Sequence, residues 1–186
     1  MRIAKERMSS LLLALAVCLS CIAPAAAAET KDTATRVKVA KAEGKVEVTN
    51  ASGRSLPVRT DMSLSSGCQI KTGQSGYLWL NLDDTKTNKI DECSSVELRK
   101  DGKKIEMLLK SGNMFFNVTK PLEEDESLNI RSHTIIMGVR GTCGWLEASD
   151  QGTTTVNVLE GTVQCVVCDP VSGDTASVPV QSGESF

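Results

Sequence analysis

Ile105-Glu106-Met107-Leu108-Leu109-Lys110-Ser111-Gly112-Asn113-Met114-Phe115-Phe116-Asn117-Val118 is the stretch on which the fold turns. Ile105, Met107 and Leu109 alternate with other residues, and so do Met114, Phe116 and Val118. A period of two marks half-buried strands, because successive side chains point to opposite faces. Between them lies Ser111-Gly112-Asn113, and glycine supplies the positive φ that a tight turn needs. The stretch therefore reads strand, glycine turn, strand. Val37-x-Val39 followed by Glu43-Gly44-Lys45-Val46-x-Val48 repeats the pattern, as does Val156-x-Val158 followed by Glu160-Gly161-Thr162-Val163-x-Cys165. The glycines fall at irregular intervals, so no strict short-period repeat is present. Stacked hairpins or uneven solenoid coils are expected, with edges shielded by charge and turns.

The same alternation recurs outward from this stretch, at Cys68 and Ile70, at Leu78, Leu80 and Leu82, and at Leu128 and Ile130. Gly, Asn, Asp and Ser separate the runs. No window after residue 36 carries a helical stripe. The predicted fold is all-β, a β-solenoid-like roll or irregular sandwich of many short strands spanning 36–186. Leu122-Glu123-Glu124-Asp125-Glu126, after Pro121, departs from the pattern and reads as a solvated acidic connection. Its spacing matches no known calcium loop.

The first 28 residues read as an address. A basic start, Met1-Arg2-Ile3-Ala4-Lys5-Glu6-Arg7, precedes an apolar run from Leu11 to Ala23 and the small-residue end Pro24-Ala25-Ala26-Ala27-Ala28. This is the layout of a secretory signal peptide cleaved after Ala28. An uncleaved anchor is the alternative, since 18 residues is marginally enough to span a membrane. Lipidation at Cys18 or Cys21 fits the flanking residues less well. Residues 29–35 are polar and expected to be a flexible linker. An exported location follows, in the periplasm, at the cell surface or outside the cell, with membrane contact only if the N-terminal segment is retained or lipidated.

The whole chain carries 21 basic and 23 acidic side chains, and the mature chain is more acidic still. This argues against a nucleic-acid partner, whose footprint is basic. A single His leaves no paired-His metal site. No cofactor, no metal and no catalytic residue is expected. His133, Ser132 and Ser94-Ser95 lack a nucleophile context such as G-x-S-x-G, and Asp83-Asp84 and Asp91-Glu92 read as strand-end acids. Cys68, Cys93, Cys143, Cys165 and Cys168 remain after export, in a compartment that permits disulfides. Their number is odd, so at least one thiol is free or pairs with another chain. A bond such as Cys68 to Cys93 would contribute roughly 2–4 kcal/mol. The Cys165-x-x-Cys168 spacing lies on a strand, where positions three apart face opposite ways, which disfavours a redox pair. Aromatics make up only 3% of the chain, so each ring matters: Trp79 and Trp145 are core pillars or a binding site. If Leu78, Leu80 and Leu82 face the core, Tyr77 and Trp79 face outward, where they could stack on sugars or anchor a protein. The alternative is that both rings are covered by neighbouring structure.

One element points to a family. Ile135-Ile136-Met137-Gly138-Val139-Arg140-Gly141-Thr142, followed by Trp145, resembles the apolar-Arg-Gly-Thr-aromatic element of the FecR domain family. Glu43-Gly44-Lys45-Val46-Glu47-Val48, Ile70-Lys71-Thr72-Gly73 with Gly76-Tyr77-Leu78, Leu109-Lys110-Ser111-Gly112, Val158-Leu159-Glu160-Gly161-Thr162-Val163 and Ser182-Gly183-Glu184 follow in the same order. The resemblance runs from about Val37 to Glu184. Many members place the aromatic two residues after the Thr, where this chain has Gly144. The best-known members regulate iron-uptake transcription through a cytoplasmic segment that contacts a sigma factor. Only about ten residues precede the apolar run here, so the resemblance carries over the domain and not that role. Arg140, Gly141 and Thr142 are expected to form a structural clasp, Arg140 bonding carbonyls of a neighbouring coil, with ligand binding the other reading of the motif. The function expected is a non-catalytic exported envelope module that binds a protein or a glycan. The alternative is a membrane-anchored sensor or regulatory ectodomain related to FecR-type signalling proteins.

Overall fold

The alternating residues read from the sequence are buried in the core, except Val46, which packs half-buried against it. The computed structural model describes residues 36–168 and 172–186; the expected signal peptide and linker lie outside the described residues. No helix occurs among the described residues, and fourteen strands do.

They form one hydrogen-bonded sheet that folds on itself into two leaves. The first leaf contains β1 (Lys38–Glu43), β5 (Tyr77–Asn81), β6 (Lys86–Ile90), the second half of β8 (Lys104–Val118), β11 (Cys143–Ala148) and β12 (Thr154–Glu160), paired in that order. The second leaf runs β3 (Ser55–Leu56), β2 (Val46–Thr49), β4 (Gln69–Thr72), β7 (Ser95–Asp101), the first half of β8, β9 (Ser127–Arg131), β10 (Ile135–Gly138), β13 (Thr162–Cys168) and β14 (Thr175–Gln181). Buried side chains from both leaves meet in one apolar cluster.

The stretch quoted at the outset is thus a single strand, β8, shared by both leaves. Its buried residues switch parity, from Ile105, Met107 and Leu109 to Met114, Phe116 and Val118. A bulge in the β7–β8 register, where Ser95 faces Ser111 but Val96 faces Leu109, supplies the odd residue. Gly112, at φ +91°, takes the bend, and a Cβ there would stand 2.5 Å from the Cα of Ser94.

The hairpin reading of the glycine turns is corrected here. The strands flanking Gly44 and Gly161 do not pair with each other: β1 and β12 belong to the first leaf, β2 and β13 to the second. Each of these glycines turns a corner between leaves, as a coil of a solenoid does. Further corners lie at 73–76, 91–94 and 139–142. Four corners stack along one edge through backbone bonds: Gly73 N–H to Lys45 O (2.9 Å), Cys93 N–H to Gly73 O (3.2 Å) and Asp91 N–H to Asn113 O (3.0 Å). True hairpins occur within a leaf, as between β7 and β8 at Gly102 and between β11 and β12 at Gly152.

β8 and β9 pair in parallel; the other strand pairings among the described residues are antiparallel. Parallel neighbours cannot be joined by a tight turn. The acidic segment 119–126 is part of the return path this pairing demands, and it is more than a solvated connection. Leu122 is buried, Lys103 pairs with Glu123 (2.8 Å) and Asp125 (3.1 Å), and the buried Lys86 bonds both Asp83 and Glu126.

Candidate functional site

Two surfaces gather the residues singled out by the sequence, one on the outer face of each leaf.

On the first leaf, Leu78, Leu80 and Leu82 are fully buried, so Tyr77 and Trp79 point outward and are half-buried there. Their rings lie 6.1 Å apart at 43°. Lys41 Nζ stands 4.9 Å from the Trp79 ring, and Lys89 Nζ 4.8 Å from Tyr77 and 5.5 Å from Trp79. Such cation–π contacts hold the rings in place. The strand register then continues the row: Lys41, Trp79, Lys89, Phe115, Trp145 and Asn157 are successive cross-strand neighbours. Four of the chain's six rings share this outer face; Phe116 is in the core. Trp145 is 37% exposed. A depression of about 390 Å³ lies between Lys89 and Trp145, over Phe115, with Asp91, Asn113 and Glu147 around it. Lys89 pairs with Asp91 at 2.6 Å, which leaves the Glu147 carboxylate without a hydrogen-bond or ion-pair partner among the described residues.

Trp145 faces out because it stands one position later than the aromatic usual in the resemblance. Thr142, Gly144 and Leu146 point inward, and Gly144 is opposite Phe116, whose ring a Cβ at 144 would meet at 3.0 Å. A Cβ at 144 would also stand 2.2 Å from Asn157 O, so the neighbouring strand and Phe116 together leave no room for a side chain there. Phe115 was missed by the sequence reading, although the alternation that buries Met114 and Phe116 already assigns it to the outer face.

On the second leaf, the structure divides the Arg140-Gly141-Thr142 element. Gly141 turns the corner at φ +63° and Thr142 is buried: Val118 N–H bonds Thr142 O at 2.9 Å, and Gly161 packs so close that a Cβ there would meet Thr142 Cγ2 at 2.7 Å. Arg140 lies outside this packing. Its side chain is exposed and has no hydrogen-bond or ion-pair partner among the described residues. The clasp expected of it is therefore corrected. Ile135, Met137 and Val139 are buried, so Gly138 and Arg140 fall on the outer face, a placement already readable from the period of two. Both line a cavity of about 700 Å³, together with Asn129, Thr162, Gln164 and the acidic segment. Lys86 fixes one end of that segment. Burial works to lower its pKa, but the bonds to Asp83 and Glu126 outweigh burial and raise it. Burial likewise pulls Asp83 up, and Lys86 and Thr85 hold it below the usual carboxylate range.

The other candidates are dispersed. All five cysteines of the described residues are free thiols: Cys68 and Cys165 buried, Cys93 exposed at a corner, Cys143 and Cys168 between. No bond joins Cys68 to Cys93. Burial pushes the Cys165 thiol up to about 11, and burial followed by the nearby Glu160 raises Cys143. Ser132 bonds the Ile135 N–H (3.1 Å) and accepts from Thr154 Oγ1 (2.8 Å), which makes it a brace for the turn. His133 is exposed. No group of three potential metal-ligating side chains occurs among the described residues.

Residues 68–164 match the family described as FecR protein, more than half of the chain. The chain belongs to the FecR family. The match is narrower than the resemblance traced from Val37 to Glu184, and it includes Tyr77, Trp79, Phe115, Arg140 and Trp145. A search of curated proteins finds no match. Two crystal structures of a protein from Parabacteroides distasonis ATCC 8503, described as an anti-sigma factor, are similar at TM-scores of 0.46 and 0.44 with 14% and 15% identity. Each comparison covers 61% of this FecR-family chain and 60% of the other. Family membership rests on the sequence match alone.

Proposed function

We propose that this FecR-family chain is a non-catalytic recognition module of the cell envelope, acting outside the membrane, whose partner is a protein or a glycan held on the aromatic face of the first leaf. The observation that carries this reading is the cross-strand row of Trp79, Lys89, Phe115 and Trp145, with Trp145 open to solvent. Exposed aromatics are costly to leave unused in so ring-poor a chain, and rings flanked by Asn113 and Glu147 suit both sugar stacking and protein anchoring. The exported chain should capture its partner from an envelope extract. A Trp79→Ala/Trp145→Ala form should lose that capture while its melting temperature stays within a few degrees. Equal capture by both forms would remove the aromatic face from the reading.

Family membership favours a second reading, a membrane-anchored regulatory ectodomain of the FecR signalling type. The two readings part at the N-terminus. Sequencing the exported protein and finding Glu29 first supports the released module, whereas a retained Met1–Ala28 segment supports the anchored regulator.

A further inference from the structure

The groove on the second leaf is independent of the aromatic face. Its floor is Gly138, flanked in register by Asn129 on β9 and Gln164 on β13. Gly138 is not in the left-handed region, and a Cβ there would meet nothing nearer than Asn129 Oδ1 at 3.9 Å, an ordinary contact. Neither backbone nor packing asks for glycine at this position. What the missing side chain does is leave the strand backbone open, the circumstance in which a strand glycine admits a close-lying ligand. The acidic segment lines the cavity on one side, and at about 700 Å³ the volume is that of a small-ligand site.

Half of the charged side chains lining the groove are paired within the fold. Glu126 is held by Lys86 and Glu123 by Lys103. Two remain without a side-chain partner among the described residues, the Arg140 guanidinium and the Glu124 carboxylate. Carboxamides lie between strands on the floor: Gln164 Oε1 accepts from Ser177 Oγ at 3.3 Å, so its amide hydrogens stay available, and the Asn129 side chain makes no bond of its own. A purely anionic ligand would meet Glu124, and a purely cationic one Arg140. One positive group, one negative group and two carboxamides on the floor complement a ligand that carries both charges and amide groups.

We propose that this groove binds a zwitterionic short peptide, its carboxylate on Arg140, its ammonium on Glu124 and its peptide groups on Asn129 and Gln164. An Arg–carboxylate contact is charge-assisted and directional, so the free C-terminus is the feature to vary.

The test is calorimetric titration of the full chain with trialanine, trilysine and triglutamate, each also as its N-acetyl and its C-terminal amide form. At least one free tripeptide should bind in the micromolar to millimolar range, and capping either end should weaken it about tenfold or more. Arg140→Gln should bind the free acid and the amide equally, the readout that a structural role for Arg140 would not move. Gly138→Leu should abolish binding, and Trp145→Ala on the other leaf should leave it unchanged. Absence of binding by every free tripeptide at about 10 mM overturns the proposal, as does indifference to end-capping. Should Gly138→Leu fail to fold, Arg140→Gln decides alone, because that side chain supports nothing in the fold.

Discussion

Arg140 shows how a single position can be misassigned for a good reason. A cation in a β core must be paired, and a motif of Arg, Gly and Thr in sequence invites one role for all three. The alternation Ile135, Met137, Val139 decides otherwise, since it turns Arg140 to the solvent side. Trp145 follows the same rule: alternation turns position 145 to the surface and position 144 to the core, where Phe116 stands opposite Gly144. Cysteine behaviour belongs at this scale too. With the native chain at about pH 8, a thiol reagent should modify Cys93 quickly, because it is exposed at a corner. Cys68 and Cys165 should react only on unfolding, the first because it is buried, the second also because burial holds its thiol near 11. Removal of the fast phase by Cys93→Ser checks the assignment; an unaltered fast phase refutes it.

At the level of the strand, the period of two in the sequence placed almost every core residue on its correct face. It could not say which strands pair. A hairpin tip and a corner between leaves both ask for polar residues and glycine, so the sequence around Gly44, Gly112 and Gly161 fits either. The distinction lies in contacts remote in sequence, such as Gly112 against Ser94 and Gly161 against Thr142. The return segment 119–126 was legible as a departure from alternation but not as a tethered wall of a groove, because Lys86 and Lys103 reach it from distant strands. The difference between corner and hairpin can be measured. Gly112→Ala combines a left-handed φ with a clash against the Ser94 backbone, and should cost about 2–4 kcal/mol. Gly102→Ala, at a hairpin tip with open space around it, should cost about 1 kcal/mol. Comparable losses in a denaturant titration would mean that Gly112 does not turn a packed corner.

For the molecule as a whole, stability should form a plateau in pH with two falling sides. Asp83 and Glu97 have pKa values lowered in the folded state, Asp83 by bonds that outweigh burial and Glu97 by Arg99 and then Lys110. Their stabilisation is present above the unfolded carboxylate range, near pH 4, and is lost as pH falls through the lower folded values. Lys86 and Cys165 are raised, so their contributions are complete below their ordinary values of 10.5 and 9.0 and are lost as pH rises toward the folded ones. The thiol starts the alkaline decline and the lysine extends it. Melting temperatures should therefore be level between about pH 5 and 8 and fall on either side. Lys86→Ala should lower the plateau by roughly 3 kcal/mol, because Asp83 and Glu126 would be left facing one another without their shared cation. A curve unchanged by that substitution would show that the charge triad does not tether the return segment.

The two kinds of turn also divide the chain into places where sequence can grow and places where it cannot. The inner corners are closed on both sides by their neighbours in the stack, so an added residue at 73–76 or 91–94 must displace the next corner along. A side chain added at Gly102 or Gly152 would meet nothing within 4 Å, and a longer loop there would disturb only bonds local to the turn and, at Gly152, the one its carbonyl accepts from Thr134 Oγ1 (3.4 Å). Epitope tags, fluorophores and lineage-specific insertions should be accommodated at those tips. Both leaves can thus be decorated from their ends while the strand they share, β8, stays uninterrupted.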